Sequence, residues 1–157
     1  MSELRALTHD DIAGLNGLEQ LYAMIAGKLP PPPITGLLKF QLAEAGEGRA
    51  VFRGTPDATM LNPLGSVHGG WAATLLDSAL GCAVHTTLAV GESYTTVEFK
   101  VNLVRAIMPD TGEVVCEGRI VSRGRRIAVS EATLKTVDGK LLAHGTETCL
   151  VFEGRGG

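Results

Sequence analysis

Asp77 is the one carboxylate between Asp57 and Glu92, and it interrupts the apolar run ATLLDSALGCA. Burying a carboxylate without a partner is costly, so the position needs a reason. Either the residue faces solvent or caps a neighbouring strand, or it serves as a base or nucleophile in a partly dehydrated pocket. Just upstream, VHGG at 67–70 leads into the same apolar run. Gly69 and Gly70 have no Cβ, so a carbonyl oxygen could approach N–H groups that a helix leaves unpaired at its start. The positive end of the helix dipole would reinforce such an oxyanion site. Glycines at a helix entrance also serve simple turns. His68 on its own reads first as a structural hydrogen-bonding residue and only second as a catalyst.

Other candidates carry the same two-sided reading. Asn62, in MLNPLG, either opens an Asn-Pro turn or holds a water or an acyl group with its side-chain amide. Thr95 and Thr96, in SYTTVEF, suit a strand, and one inward hydroxyl could hold an attacking water near Asp77. Arg119, Arg123, Arg125 and Arg126 form the densest basic cluster, which fits a solvated sheet edge or a grip on the phosphates of a nucleotide-bearing ligand. Cys82, Cys116 and Cys149 are odd in number and widely spaced, matching neither a disulfide framework nor a zinc site; they read as buried free thiols.

Spacing adds a geometric condition. On one helix, Gly69 and Asp77 would stand about 12 Å apart along the axis. A single reacting carbon cannot touch both, because reacting atoms must come within about 3 to 3.5 Å. If both act, two such helices run antiparallel across a twofold axis, with Gly69 of one subunit facing Asp77 of the other. The expected consequence is an obligate homodimer with two shared sites.

The elements that would position these residues follow from periodicity. Residues 8–28 have helix-like spacing, with Ile12, Leu15, Leu18, Leu21, Tyr22 and Ile25 near one face, and LPPPPI at 29–34 stops the helix. Residues 35–43 and 48–55 read as two strands joined by AGEG. Residues 69–88 form the one long apolar helix, apolar on nearly every side. After Gly91 the period changes to two, giving strands at 94–105, 113–123, 126–137 and 140–152, with VDGK turning between the last two. An antiparallel sheet wrapped around the long helix is the economical way to bury it, so the fold class is α+β with an extra N-terminal helix. Residues 1–33 read as a helical extension with a Pro-rich linker, and 34–157 as the main domain.

The chain has 157 residues, 45% of them hydrophobic and 20% charged, enough for one core. A net charge of −3 lacks the basic field that binding to nucleic acid demands. The opening residues do not read as a secretory signal. Residues 69–90 raise the possibility of a membrane span, but Asp77, His85 and several Ser and Thr argue against it. A soluble cytoplasmic protein is expected.

The runs NPLGSVHGGWAATLLDSALGCAV, TTVEFKVNLVRA and SRGRRIAVSEATLKTVDGKLLAHGTET together resemble the PaaI-like branch of hotdog-fold acyl-coenzyme A thioesterases. That branch includes phenylacetate-degradation and some 4-hydroxybenzoyl-coenzyme A thioesterases, and the likeness spans about residues 35–152. The resemblance implies hydrolysis of an acyl- or aryl-coenzyme A to free acid and coenzyme A. It implies that the Gly69 N–H polarises the thioester carbonyl and that Asp77 of the opposite subunit activates water or attacks directly. It further implies that Asn62 helps place water or the leaving group. Thr96 would support the carboxylate, with Thr95 a rival one residue away. His68 is carried as a candidate catalytic neighbour, and Gly70, Thr95, Arg125 and Arg126 as candidate substrate-binding residues. The family also implies a dimer of dimers, no metal, and no separate cofactor, since coenzyme A is part of the substrate and lies along the subunit interface. Two other readings stay open: a non-catalytic acyl-coenzyme A-binding hotdog protein, and a hotdog hydratase or dehydratase, which as a family trait pairs a His with a carboxylate.

Overall fold

Apolar residues at positions 71, 72, 75, 76, 79, 80, 83 and 84 recur with the period of a helix and define one continuous face. In the computed structural model, which describes residues 5–154, they lie on helix α4 (Gly69–His85), and every one of them is at most 3% exposed. The other side of α4 is different. Thr74, Ser78, Cys82 and His85 are half-buried and Asp77 is exposed. The helix is therefore two-faced, against the expectation of an all-round apolar rod, and its own sheet covers only one side.

That sheet has six antiparallel strands: β1 (Phe40–Gly46), β2 (Arg49–Gly54), β3 (Glu92–Leu103), β4 (Val114–Arg123), β5 (Ile127–Thr136) and β6 (Leu141–Glu153). Their spatial order is β1-β2-β4-β5-β6-β3, which puts β1 and the long β3 at the edges. The last four strands begin and end within a residue or two of the positions expected from alternation.

Two glycines set how closely helix and sheet approach. A Cβ built on Gly118 of β4 would lie 2.1 Å from the Ala79 carbonyl oxygen, and one built on Gly54 of β2 would lie 3.3 Å from Leu75 Cδ2. Helix backbone rests directly on strand backbone at Gly118, and the apolar side chains fill the space on either side.

The N-terminal part departs from expectation in two places. Residues 8–28 form two helices, α1 (His9–Ile12) and α2 (Gly17–Ile25). Gly14 takes a φ of +78°, and Thr8 and Asn16 each close a capping box with Asp11 and Glu19, so local hydrogen bonds start a helix twice. The prolines do more than stop a helix: Pro33 opens a short one, α3 (Pro33–Leu37), because its fixed φ suits a first helical position. The first strand consequently starts at Phe40, five residues later than expected.

Helix α2 is fastened to the end of α4. The Gly17 N–H donates to the Leu88 carbonyl at 3.0 Å, and a Cβ on Gly17 would lie 1.7 Å from the His85 carbonyl oxygen. Gln20 gives its amide N–H to the Leu15 carbonyl, which leaves its Oε1 to accept from His85 Nε2 at 3.1 Å.

Gly118→Ala is expected to cost at least about 1–3 kcal/mol, because the new methyl meets backbone that cannot yield as a side chain can. Chemical denaturation checks this; an unchanged midpoint would show that helix and sheet are not in the contact described.

Candidate active site

The free side of α4, together with β1, β2, β3 and the N-terminal helices, encloses a cavity of about 480 Å³. Asp77, Ser78, Gly81, Cys82 and His85 line it from α4, and Tyr94 and Thr96 from β3. The opposite wall is apolar: Leu21, Met24 and Ile25 from α2, Ile34 from α3, Leu42 from β1 and Phe52 from β2. A carboxylate thus borders an apolar chamber, and the N-terminal extension forms part of that chamber.

Thr96 and Thr95 separate cleanly. Strand alternation turns Thr96 into the cavity, where its hydroxyl donates to Glu147 Oε1 at 2.9 Å, while Thr95 is exposed on the other face.

The entrance to α4 is built by hydrogen bonds to its preceding loop. The Val67 N–H is taken by the Ile107 carbonyl, the His68 N–H by the Met60 carbonyl, and the Trp71 N–H by the His68 carbonyl. His68 is the N-cap, and its Nδ1 accepts from the Gly70 N–H at 2.9 Å. Among the described residues the Gly69 N–H has no acceptor, so of the two glycines it is Gly69 that keeps a free donor at the positive end of the helix. His68 and Gly70 have a structural job in this geometry.

Asn62 is likewise occupied locally. Its Oδ1 accepts from the Leu64 and Ser66 N–H groups at 2.9 and 3.3 Å, and its Nδ2 donates to Ser66 Oγ at 2.8 Å, the pattern of an Asx turn. In the basic cluster, Arg119 pairs with Glu117 and Arg123 with Glu92. Arg125 and Arg126, between β4 and β5, are exposed and in no ion pair among the described residues.

Periodicity of single residues did not single out Glu147, which accepts a hydrogen bond from the cavity-lining Thr96. It is 0% exposed, yet it stands one strand from the surface behind Thr96. Its Oε1 accepts from Thr96 Oγ1 and from Cys149 Sγ, both at 2.9 Å, while its Oε2 is buried without a partner. Burial and the adjacent Asp77 carboxylate push its pKa from 4.5 up to about 7, against the opposing pull of the Cys149 and Thr96 hydrogen bonds. A signal for it was present: in β6 the inward series Ala143, Gly145, Glu147, Cys149, Val151 is uniformly buried, and Glu147 is its one acid.

The rest of the chamber is held neutral. Burial lowers His85 to about 4, so its imidazole carries no charge at neutral pH, and its ring meets Tyr94 edge-on at 5.8 Å. Burial also raises the Tyr94 phenol well above its ordinary value and Cys82 to about 12. Cys116 and Cys149 are buried and Cys82 half-buried, and all three are free thiols.

A long helix laid on an antiparallel sheet is the architecture of the hotdog fold, and here it carries an acid on a cavity and a free N–H at the helix entrance. The chain belongs to the thioesterase superfamily, whose profile matches residues 64–143, just over half of it. A presumed thioesterase of Ralstonia eutropha, described as related to phenylacetic acid degradation, superposes with a TM-score of 0.75 at 28% identity, covering 83% of this chain and 98% of that one. A conserved protein of Pseudomonas aeruginosa superposes with a TM-score of 0.72 at 32% identity, covering 78% and 95%. In sequence, a presumed esterase of Halobacterium salinarum is 34% identical over 94 residues, which span 59% of this chain and 58% of that protein. The PaaI-like assignment fits these neighbours. Among the described residues no helix is long and apolar enough to cross a membrane.

Because Glu147 is raised from 4.5 to about 7, its protonated form is favoured by folding. The stability it contributes is complete below the unfolded value and is lost as pH rises through the folded one. Glu147→Gln is therefore expected to unfold at higher temperature than the parent near pH 8, by on the order of 2–3 kcal/mol, and to show no such gain near pH 4. Thermal melts of both proteins across that range decide it; parallel melting curves at all pH values would count against a buried, proton-holding Glu147.

Proposed function

We propose that this protein hydrolyses the thioester of an acyl- or aryl-coenzyme A, releasing the free acid and coenzyme A. The observation that carries the reading is that Asp77 lines an apolar chamber of about 480 Å³ and shares it with Thr96. The chamber suits the acyl or aryl group, and Asp77 meets the carbonyl carbon at its mouth. Its wall of Leu21, Met24, Ile25 and Ile34 favours medium-chain or aromatic groups over short polar ones.

In the reaction, the thioester carbonyl oxygen accepts a hydrogen bond from the Gly69 N–H as negative charge develops on it. Asp77 takes a proton from the attacking water, or attacks the carbon itself to form a mixed anhydride that water then opens. In the first route the C–S bond breaks and the proton held by Asp77 goes to the departing sulfur; in the second the sulfur leaves as thiolate when the anhydride forms and takes its proton from water. Asn62 keeps one amide N–H beyond its turn for water or the leaving group, and His68 holds the helix entrance in shape. Arg125 and Arg126 are free to meet coenzyme A phosphates. No cofactor enters this scheme, because coenzyme A arrives as part of the substrate.

Gly69 and Asp77 stand eight residues apart on one α4, so the site is completed by a second copy, with Gly69 of one subunit facing Asp77 of the other. The edge strand β3 supports such pairing, since it exposes Val97, Phe99 and Leu103 on a twelve-residue stretch. The arrangement expected is a homodimer, and further a dimer of dimers. Three free thiols fit a reducing compartment such as the cytoplasm.

A panel of acyl- and aryl-coenzyme A esters, scored by thiol release, tests this reading. Asp77→Asn is expected to lower kcat/KM by about 10²–10⁴. A folded parent that hydrolyses none of the esters would sink the proposal; ligand binding without turnover would favour a non-catalytic acyl-coenzyme A binder. Light scattering on the active species adds the second check, because a monomer with full activity is incompatible with shared sites. Water labelled with heavy oxygen separates the two routes: label appearing in Asp77 after one turnover marks the anhydride.

A further inference from the structure

We propose that Glu147 is a positioning residue for Asp77, the two forming a carboxyl–carboxylate pair that shares one proton held on Glu147 Oε2. The inference deepens the thioesterase reading above and rests on it for its kinetic consequence, though the pair itself is a matter of geometry.

The hydrogen-bond pattern of Glu147 is that of a neutral acid. Oε1 receives two donors, Thr96 Oγ1 and Cys149 Sγ, each at 2.9 Å, which is the pattern of a carbonyl oxygen. Oε2 is buried and receives none. An ionised Oε2 there would be an unsatisfied anionic acceptor in the protein interior, whereas a protonated Oε2 is a donor in need of an acceptor. Asp77, which acts on Glu147 by charge and by hydrogen bonding and lines the same cavity as Thr96, is assigned as that acceptor. Gly81, one turn after Asp77 on α4, leaves room for the Tyr94 hydroxyl beside the pair: a Cβ built there would lie 2.9 Å from Tyr94 Oη, with Glu147 Oε1 at an ordinary contact distance of 3.6 Å.

The groups facing Glu147 come from four elements. Helix α4 brings Asp77 and Cys82, β3 brings Tyr94 and Thr96, β6 brings Cys149, and β5 brings Ser130, which is paired opposite Glu147 and has a buried hydroxyl without a partner. All are neutral or acidic. Nothing among them compensates a second negative charge, so the site accommodates one, and the hydrogen bond directs it to Asp77, the member on the cavity.

During hydrolysis water attacks the carbonyl carbon and its proton moves to the free oxygen of Asp77, while Glu147 keeps its own proton. The C–S bond then breaks, the electron pair leaves with sulfur, and the Asp77 proton neutralises it. Glu147 ends as it began. Its work is to aim Asp77 and to keep the pair at a single charge, and that work stops when Glu147 ionises.

The kinetic test compares the pH dependence of kcat/KM for the parent and Glu147→Gln, whose amide keeps a donor and an acceptor but cannot titrate. The parent is expected to lose activity above about pH 7, while Glu147→Gln stays within about threefold of it near pH 6 and exceeds it about tenfold near pH 8. Thr96→Val, which removes a hydrogen bond to Oε1, should move the parent's alkaline limb to higher pH. An alkaline limb that persists unchanged in Glu147→Gln overturns the proposal. Infrared titration of the unliganded protein gives a readout free of turnover: a protonated-carboxyl band should vanish as pH rises through about 7 in the parent and be missing in Glu147→Gln. A band without any thioester hydrolysis would leave the pair standing and the thioesterase reading fallen; hydrolysis without the band would do the reverse.

Discussion

Everything in this molecule depends on how closely α4 can lie on its sheet. At Gly118 the helix carbonyl of Ala79 takes the space that any side chain would need. This contact brings Leu75, Leu76, Leu80 and Val84 to complete burial, and it fixes the rotation of the helix about its own axis. Once that rotation is set, Asp77, Ser78, Cys82 and His85 have only the other side to occupy. The face that lines the cavity is what remains after the core has been filled.

A carboxylic acid is also buried inside this structure. Strand β6 belongs to the sheet on which α4 rests, and its inward positions carry Gly145, Glu147 and Cys149. Glu147 is affordable there because one oxygen is fully hydrogen-bonded and burial holds the group toward its neutral form. Asp77, exposed on the cavity, is the place where charge is cheap. The two acids differ in environment, one buried in the sheet and the other exposed on the cavity.

The N-terminal segment has a comparable logic. By itself α2 is nine residues long, too short to be stable alone. Docking of Gly17 against the end of α4 and the Gln20–His85 hydrogen bond hold it over the chamber, and its apolar side chains become a wall. The segment thereby walls the cavity that Asp77 lines.

Much of this was legible in residue order. Period-two alternation located β3 to β6 almost to the residue, the long helix and its Asp77 stood out from composition, and HGG marked the helix entrance. These are local properties, determined by which side chains suit a pleat or a helical face. What only the tertiary structure decided is who meets whom. Four strands share one alternation, so nothing in β6 alone says that Glu147 lies under Asp77, that Thr96 and not Thr95 turns toward it, or that His68 spends its ring on Gly70. Nor could spacing show that a proline run would start a helix and complete a chamber. Asp77 is written in the sequence as an oddity; the groups that share its cavity are set by packing across distant elements.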